Sequence, residues 1–147
     1  MTMSIARKAY SVFNVVLMLE YLAQFYLIAS AFFTVTNAND DPKSVYSAFK
    51  NADTFAGLHA INGWPVIGTT TLILIGLAFA ARHPWRTTLL TALLFVLLLL
   101  QLLLARAGVP VLSAVHGLNA LVLVGLNGWL TRQNWAFRRT SIETAVQ

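Results

Sequence analysis

A chain of 147 residues that is 58% hydrophobic and only 10% charged, with a mean hydropathy of +0.70, lies far from the roughly 25% charged residues of soluble domains. Its net charge of +5 comes from basic residues scattered near helix ends, a pattern that argues against nucleic acid and for a lipid bilayer as the main partner. The absence of cysteine excludes disulfides, thiolate metal sites, iron–sulfur clusters and covalent haem attachment.

Four apolar runs, at about residues 10–35, 54–81, 87–105 and 110–131, each reach the ~20 residues needed to cross a hydrocarbon core. The chain is therefore expected to be all-α, one four-helix transmembrane domain over residues 1–147. The first run contains Ala29-Ser30-Ala31, which resembles a cleavage site, but it is too long for a signal peptide and is interrupted by Glu20 and Gln24. Glu20 lies on the face of Gln24, as a proton acceptor or as a protonated partner of Asn14, Tyr21 or Arg106. Residues 36–53 read as an external loop. Within it Asp41 can cap a short helix with Pro42 at its first position, placing Val45, Tyr46 and Phe49 on one apolar face that could lie as a lid on the bundle.

The second run carries His59 and then Pro65, which removes one helical hydrogen bond and is expected to kink the helix. Arg82-His83-Pro84-Trp85-Arg86 is a tight turn, with His83 a solvated loop residue. In the third run the leucines at 97–100 and 102–104 read as lipid-facing filler around Gln101. Arg106-Ala107-Gly108-Val109 turns the chain again, and Pro110 suits the first turn of the last helix.

Arg7, Lys8, Arg82, Arg86, Arg132, Arg138 and Arg139 share one side of this arrangement; Lys43, Lys50 and Arg106 share the other. The excess of basic residues on the first side predicts both termini in the cytoplasm of a bacterial inner membrane, N-in and C-in. Trp85, Trp129 and Trp135 fall near the same ends, where amphipathic rings favour the interface.

The informative pattern is a repeat. Gln24 in the first run is followed by His59-Ala60-Ile61-Asn62 in the second, and Gln101 in the third by His116-Gly117-Leu118-Asn119 in the fourth. Each copy holds two crossings, so the two copies run in parallel about an axis along the membrane normal. That relation would bring His59 and His116 to one depth, roughly 8–9 Å in if each lies five or six residues past its helix start. Intramembrane polar side chains are costly and are functional-site candidates by default. Two imidazoles on facing helices of a bundle suit a haem iron held from both sides. Gly57, Gly63 and Gly117 flank the histidines and would let a flat macrocycle approach the backbone, while Gln24, Gln101, Asn62 and Asn119 could orient the imidazoles or hold propionates.

The pattern resembles an uncharacterised family of small bacterial four-helix membrane proteins. The resemblance rests on Gln24-Phe25-Tyr26-Leu27, His59-Ala60-Ile61-Asn62-Gly63, Gln101 and Val115-His116-Gly117-Leu118-Asn119-Ala120-Leu121, with Gly117 where proline is frequent. It implies the four-helix fold and the selected positions, and no reaction. The architecture is also similar to bis-histidine b-type membrane cytochromes. The expected function is a membrane cytochrome binding one haem b between His59 and His116 and passing electrons between a lipid-soluble carrier and an acceptor near the extracytoplasmic face, with a redox partner protein and a homo-oligomer as the expected partners. Its rivals are a haem-free structural or partner-binding subunit, and a site for quinone or a metal ion. No nucleophile–base pair or nucleotide loop points to stand-alone catalysis.

Overall fold

The structure, a computed structural model, describes residues 2–38 and 41–137. The described residues are helical apart from turns: α1 (Met3–Thr36), α2 (Pro42–Ile61), a π-helical segment (Asn62–Val66), α3 (Ile67–Ala80), α4 (Trp85–Ala105) and α5 (Pro110–Gln133). Because α2, the π segment and α3 form one continuous rod, these elements make four helices long and apolar enough to cross a membrane. The chain is thus an all-helical, multi-pass membrane protein. Arg138 and Arg139, counted above for topology, lie outside the described residues.

The rods pack as two antiparallel hairpins. α1 lies against α2, α3 and α5, and α4 lies against α3 and α5. The second and fourth crossings therefore stand on one diagonal of the bundle, the first and third on the other. At the end near the termini the packing is close: Tyr10, Leu17, Leu74, Leu94 and Leu130 are fully buried. Lipid tails are as apolar as leucine, so this contact rests on shape and on interhelical hydrogen bonds rather than on water release. The hydrogen bonds are present. Tyr10 and Thr91 hydroxyls meet at 2.7 Å, Asn127 Nδ2 donates to the Asn14 carbonyl at 3.0 Å, and Ser11 Oγ donates to the Asn134 carbonyl at 3.1 Å. At the other end α2 packs on α1 and has no extensive interface with α4 or α5. The two hairpins are joined at one end and part at the other.

Several local features differ from the sequence expectation. The helix capped by Asp41 does form, with Asp41 Oδ2 accepting from the Ser44 N–H at 3.0 Å, but it runs on without a break into the second crossing. It is no separate lid. Its inner side carries the small residues Ala48 and Ala52, while Tyr46 and Phe49 are 73% and 58% exposed. Small side chains let α2 lie close on α1, and the aromatics point away. Pro65 is absorbed by widening one turn to a π-helix rather than by ending the helix; such segments commonly mark functional regions. Among the leucines of α4, Leu98 is only 3% exposed and belongs to the core, whereas Leu99 and Leu100 are exposed.

His83 is not a solvated loop residue. The turn folds back with Arg82 at φ 51°, and the His83 ring packs on Tyr10 with centroids 4.6 Å apart. Its Nε2 is buried without a partner. Burial pushes the His83 imidazole below the ordinary histidine range, and the nearby Arg7 charge pushes it further down.

Candidate functional site: two histidine clamps around a cavity

Each hairpin uses the same two hydrogen bonds. In the first, His59 Nδ1 lies 3.4 Å from the Gln24 carbonyl, and Asn62 Nδ2 donates to the Glu20 carbonyl at 2.9 Å. In the second, His116 Nδ1 lies 3.0 Å from the Gln101 carbonyl, and Asn119 Nδ2 donates to the Leu97 carbonyl at 2.9 Å. Donors three residues apart on one helix meet carbonyls four residues apart on its partner. Both spacings place groups on one helical face, so the pattern closes only when two helices run antiparallel in one register. A carbonyl can only accept, so each Nδ1 carries a proton, and in the neutral ring each Nε2 keeps its lone pair.

Both imidazoles line one cavity of about 460 Å³ between the parted ends of the hairpins. Their ring centroids are 6.4 Å apart and their planes meet at 53°. Tyr21, Gln24 and Phe25 of α1 form one wall; Leu98, Gln101 and Leu102 of α4 form the opposite wall. Small residues line it beside the histidines: Ala60 and Gly63 on one side, Gly117 and Ala120 on the other. A Cβ at Gly63 would stand 3.3 Å from Gln24 Nε2, so glycine there admits the Gln24 amide, which donates to the His59 carbonyl at 3.0 Å.

Of the residues picked from the sequence, His59, His116, Gln24, Gln101, Gly63 and Gly117 line the cavity. Asn62, Asn119 and Gly57 do not. The asparagines fasten the helices on which the histidines ride, and Asn119 also donates to Gln101 Oε1 at 2.6 Å. Gly57 faces open space. His116 lies six residues past the start of α5 at Pro110, as expected, but His59 lies 17 past the start of α2 at Pro42 rather than five or six. Glu20 takes a partner the sequence did not suggest, its Oε1 accepting from Thr70 Oγ1 at 2.7 Å, while its Oε2 stays buried and unpaired. Tyr21 and Arg106 also line the cavity. Neither stands in the repeat, which is the signal that singled out the other residues. Among the described residues no group of three or more His, Cys, Asp or Glu side chains gathers.

Residues 46–108 match the model of a family of unknown function, DUF6220. The matched stretch holds His59, Asn62 and Gln101 but stops short of Gln24 and His116. No curated protein and no solved structure matches the chain.

Proposed function

We propose that this chain is a membrane b-type cytochrome that holds one haem between His59 and His116. The observation that carries the reading is the pair of clamps, which ties up each Nδ1 and leaves Nε2 of two imidazoles lining one cavity without a backbone partner. The ring centroids stand 6.4 Å apart, close enough that both imidazoles could serve one metal. Backbone carbonyls on Nδ1 fix tautomer and ring orientation, as they do for histidine ligands generally.

The ligand count favours haem over a bare ion. A metal ion held by protein alone takes about four ligands, and here two imidazoles stand with no third His, Cys, Asp or Glu among the described residues. A macrocycle brings its own equatorial nitrogens. The cavity volume is within the range of cofactor pockets, and its apolar walls and flanking small residues suit a flat ring. Bound there, haem supplies reversible one-electron chemistry. His59 and His116 would together hold the haem iron, and the chain's role would be to carry electrons rather than to catalyse a reaction. A lipid-soluble carrier such as a quinone is then the electron donor, and a protein at the histidine end the acceptor. The basic bias supports a bacterial inner membrane with that end outside the cytoplasm.

The test is the absorption spectrum of detergent-purified protein from haem-replete cells. A sharp Soret band with resolved α and β bands on reduction is expected. A colourless, monodisperse protein would remove the cytochrome reading and leave a haem-free subunit. Orientation is checked separately: Ser47→Cys should react with an impermeant maleimide in intact cells, since the native chain has no cysteine. Protection of that site would place the histidine end in the cytoplasm.

A further inference from the structure

The cavity has a direction, and the haem reading leaves that direction open. Arg106 is the one charged side chain on its wall among the described residues. It caps α4, and the turn after it reverses at once because Gly108 adopts φ +66°, a conformation glycine takes without strain. The short second hairpin thus brings its turn within five residues of Gln101. The first hairpin turns at Asn37, 13 residues past Gln24, too far along to reach the cavity. The other end of the cavity is closed by Ile67, Leu98 and Leu123, which are 2%, 3% and 2% exposed.

We propose that Arg106 sets which way round a planar dianionic ligand sits: carboxylates toward the 106–109 turn, apolar edge toward Ile67, Leu98 and Leu123. The proposal rests on the haem reading and adds an orientation to it. A guanidinium offers five N–H donors in a fork that matches carboxylate geometry, and among the described residues the Arg106 guanidinium makes no hydrogen bond or ion pair. Carboxylates turned the other way would lie within the membrane-spanning core, where charge is expensive. The buried donor offered there without a partner is the hydroxyl of Tyr21. A single neutral donor does not replace the hydration of two carboxylates; the turn offers both a cation and the end of the bundle.

The experiment compares haem b with its dimethyl ester, which keeps the macrocycle and removes both charges. Each is titrated into protein purified from haem-depleted cells and followed by the Soret band. Wild type is expected to bind the diacid about tenfold more tightly than the ester, as a charge-assisted contact implies. Arg106→Gln should bring the two within about twofold while keeping the low-spin spectrum, and Arg106→Lys should retain part of the preference. Equal binding of diacid and ester by wild type overturns the orientation and leaves the bis-histidine site standing. So does a preference that survives Arg106→Gln and disappears in Tyr21→Phe, which would put the carboxylates at the buried end. If wild type takes up neither compound, the haem reading fails and the orientation falls with it.

Discussion

In the first hairpin His59 and Asn62 reach the carbonyls of Gln24 and Glu20; in the second His116 and Asn119 reach those of Gln101 and Leu97. The surroundings differ in almost every other respect. The first hairpin has helical rods of 34 and 39 residues, the second of 21 and 24. A π segment with Pro65 follows the first Asn, whereas α5 runs unbroken past the second. A carboxylic acid, Glu20, stands where the other hairpin has Leu97. The clamp survives these differences because it uses backbone carbonyls, which every residue supplies. What it requires is the donor spacing on one helix and the register between two. The Glu20 side chain therefore belongs to a separate contact with Thr70. The two clamps are not equally tight: the Nδ1 contact is 3.4 Å in the first and 3.0 Å in the second, and only in the second does the glutamine side chain bond the asparagine.

The largest test of equivalence is loss of either imidazole. His59→Ala and His116→Ala should each abolish the low-spin spectrum, while His83→Ala, which touches neither clamp, should keep it. If one of the two variants keeps a low-spin spectrum, the hairpins do not share one metal.

Removing the asparagines grades the clamps. Interhelical hydrogen bonds in membranes contribute about 0.6–2 kcal/mol. Asn119 makes two such contacts and Asn62 one. Asn119→Leu should cost about 1–2 kcal/mol in unfolding from detergent micelles and Asn62→Leu about half as much. Equal losses would mean that the Gln101 contact adds nothing.

Glu20→Leu places the second hairpin's residue in the first. It removes the bond to Thr70 and also a buried unpaired oxygen. A hydrogen bond contributes about 0.5–1.5 kcal/mol and an unsatisfied buried group costs about 1–3. The buried Thr70 hydroxyl loses its acceptor in the same step, so relief of one unpaired group is offset by creation of another and the variant should stay within about 1 kcal/mol of wild type. A clear loss of thermal stability would show that the carboxyl holds α1 on α3.

The smallest effect concerns His83, outside both clamps. Its imidazole titrates below the ordinary histidine range in the folded chain because it is buried and near Arg7. Lowering the pH past about 6.5 protonates the unfolded chain first, so folding stability falls as pH drops from there through the folded-state value. His83→Phe keeps the packing on Tyr10 and should flatten that part of the profile relative to wild type. Superimposable pH profiles would contradict the burial of Nε2.

Much of the site was legible because it is repetitive. Gln24 with His59 and Gln101 with His116 stand out as polar groups in matching apolar contexts, and they line one cavity. The roles of Asn62 and Asn119 were not legible, because their partners are carbonyls of the neighbouring helix and leave no mark in side-chain identity. The extension of α2 back to Pro42 was hidden by its polar composition: Lys43, Lys50 and Asp53 read as loop, although the Asp41 cap already marked a helix start. His83 looked solvated because it lies in a basic turn, and only the return of that turn onto Tyr10 buries it.

Composition and run length alone determined that the chain is all-helical and crosses a membrane four times, because about 20 apolar residues have no stable place in water and must satisfy their backbone internally. The spacing of His, Asn and Gln determined which faces turn inward. Tertiary structure decided what those faces do. It set the register that turns each Nδ1 onto a carbonyl, the parting of the hairpins that opens the cavity, and the difference in hairpin length that leaves Arg106 at one end. Each depends on how two helices lie against each other, a distance relation that spacing along one chain does not contain.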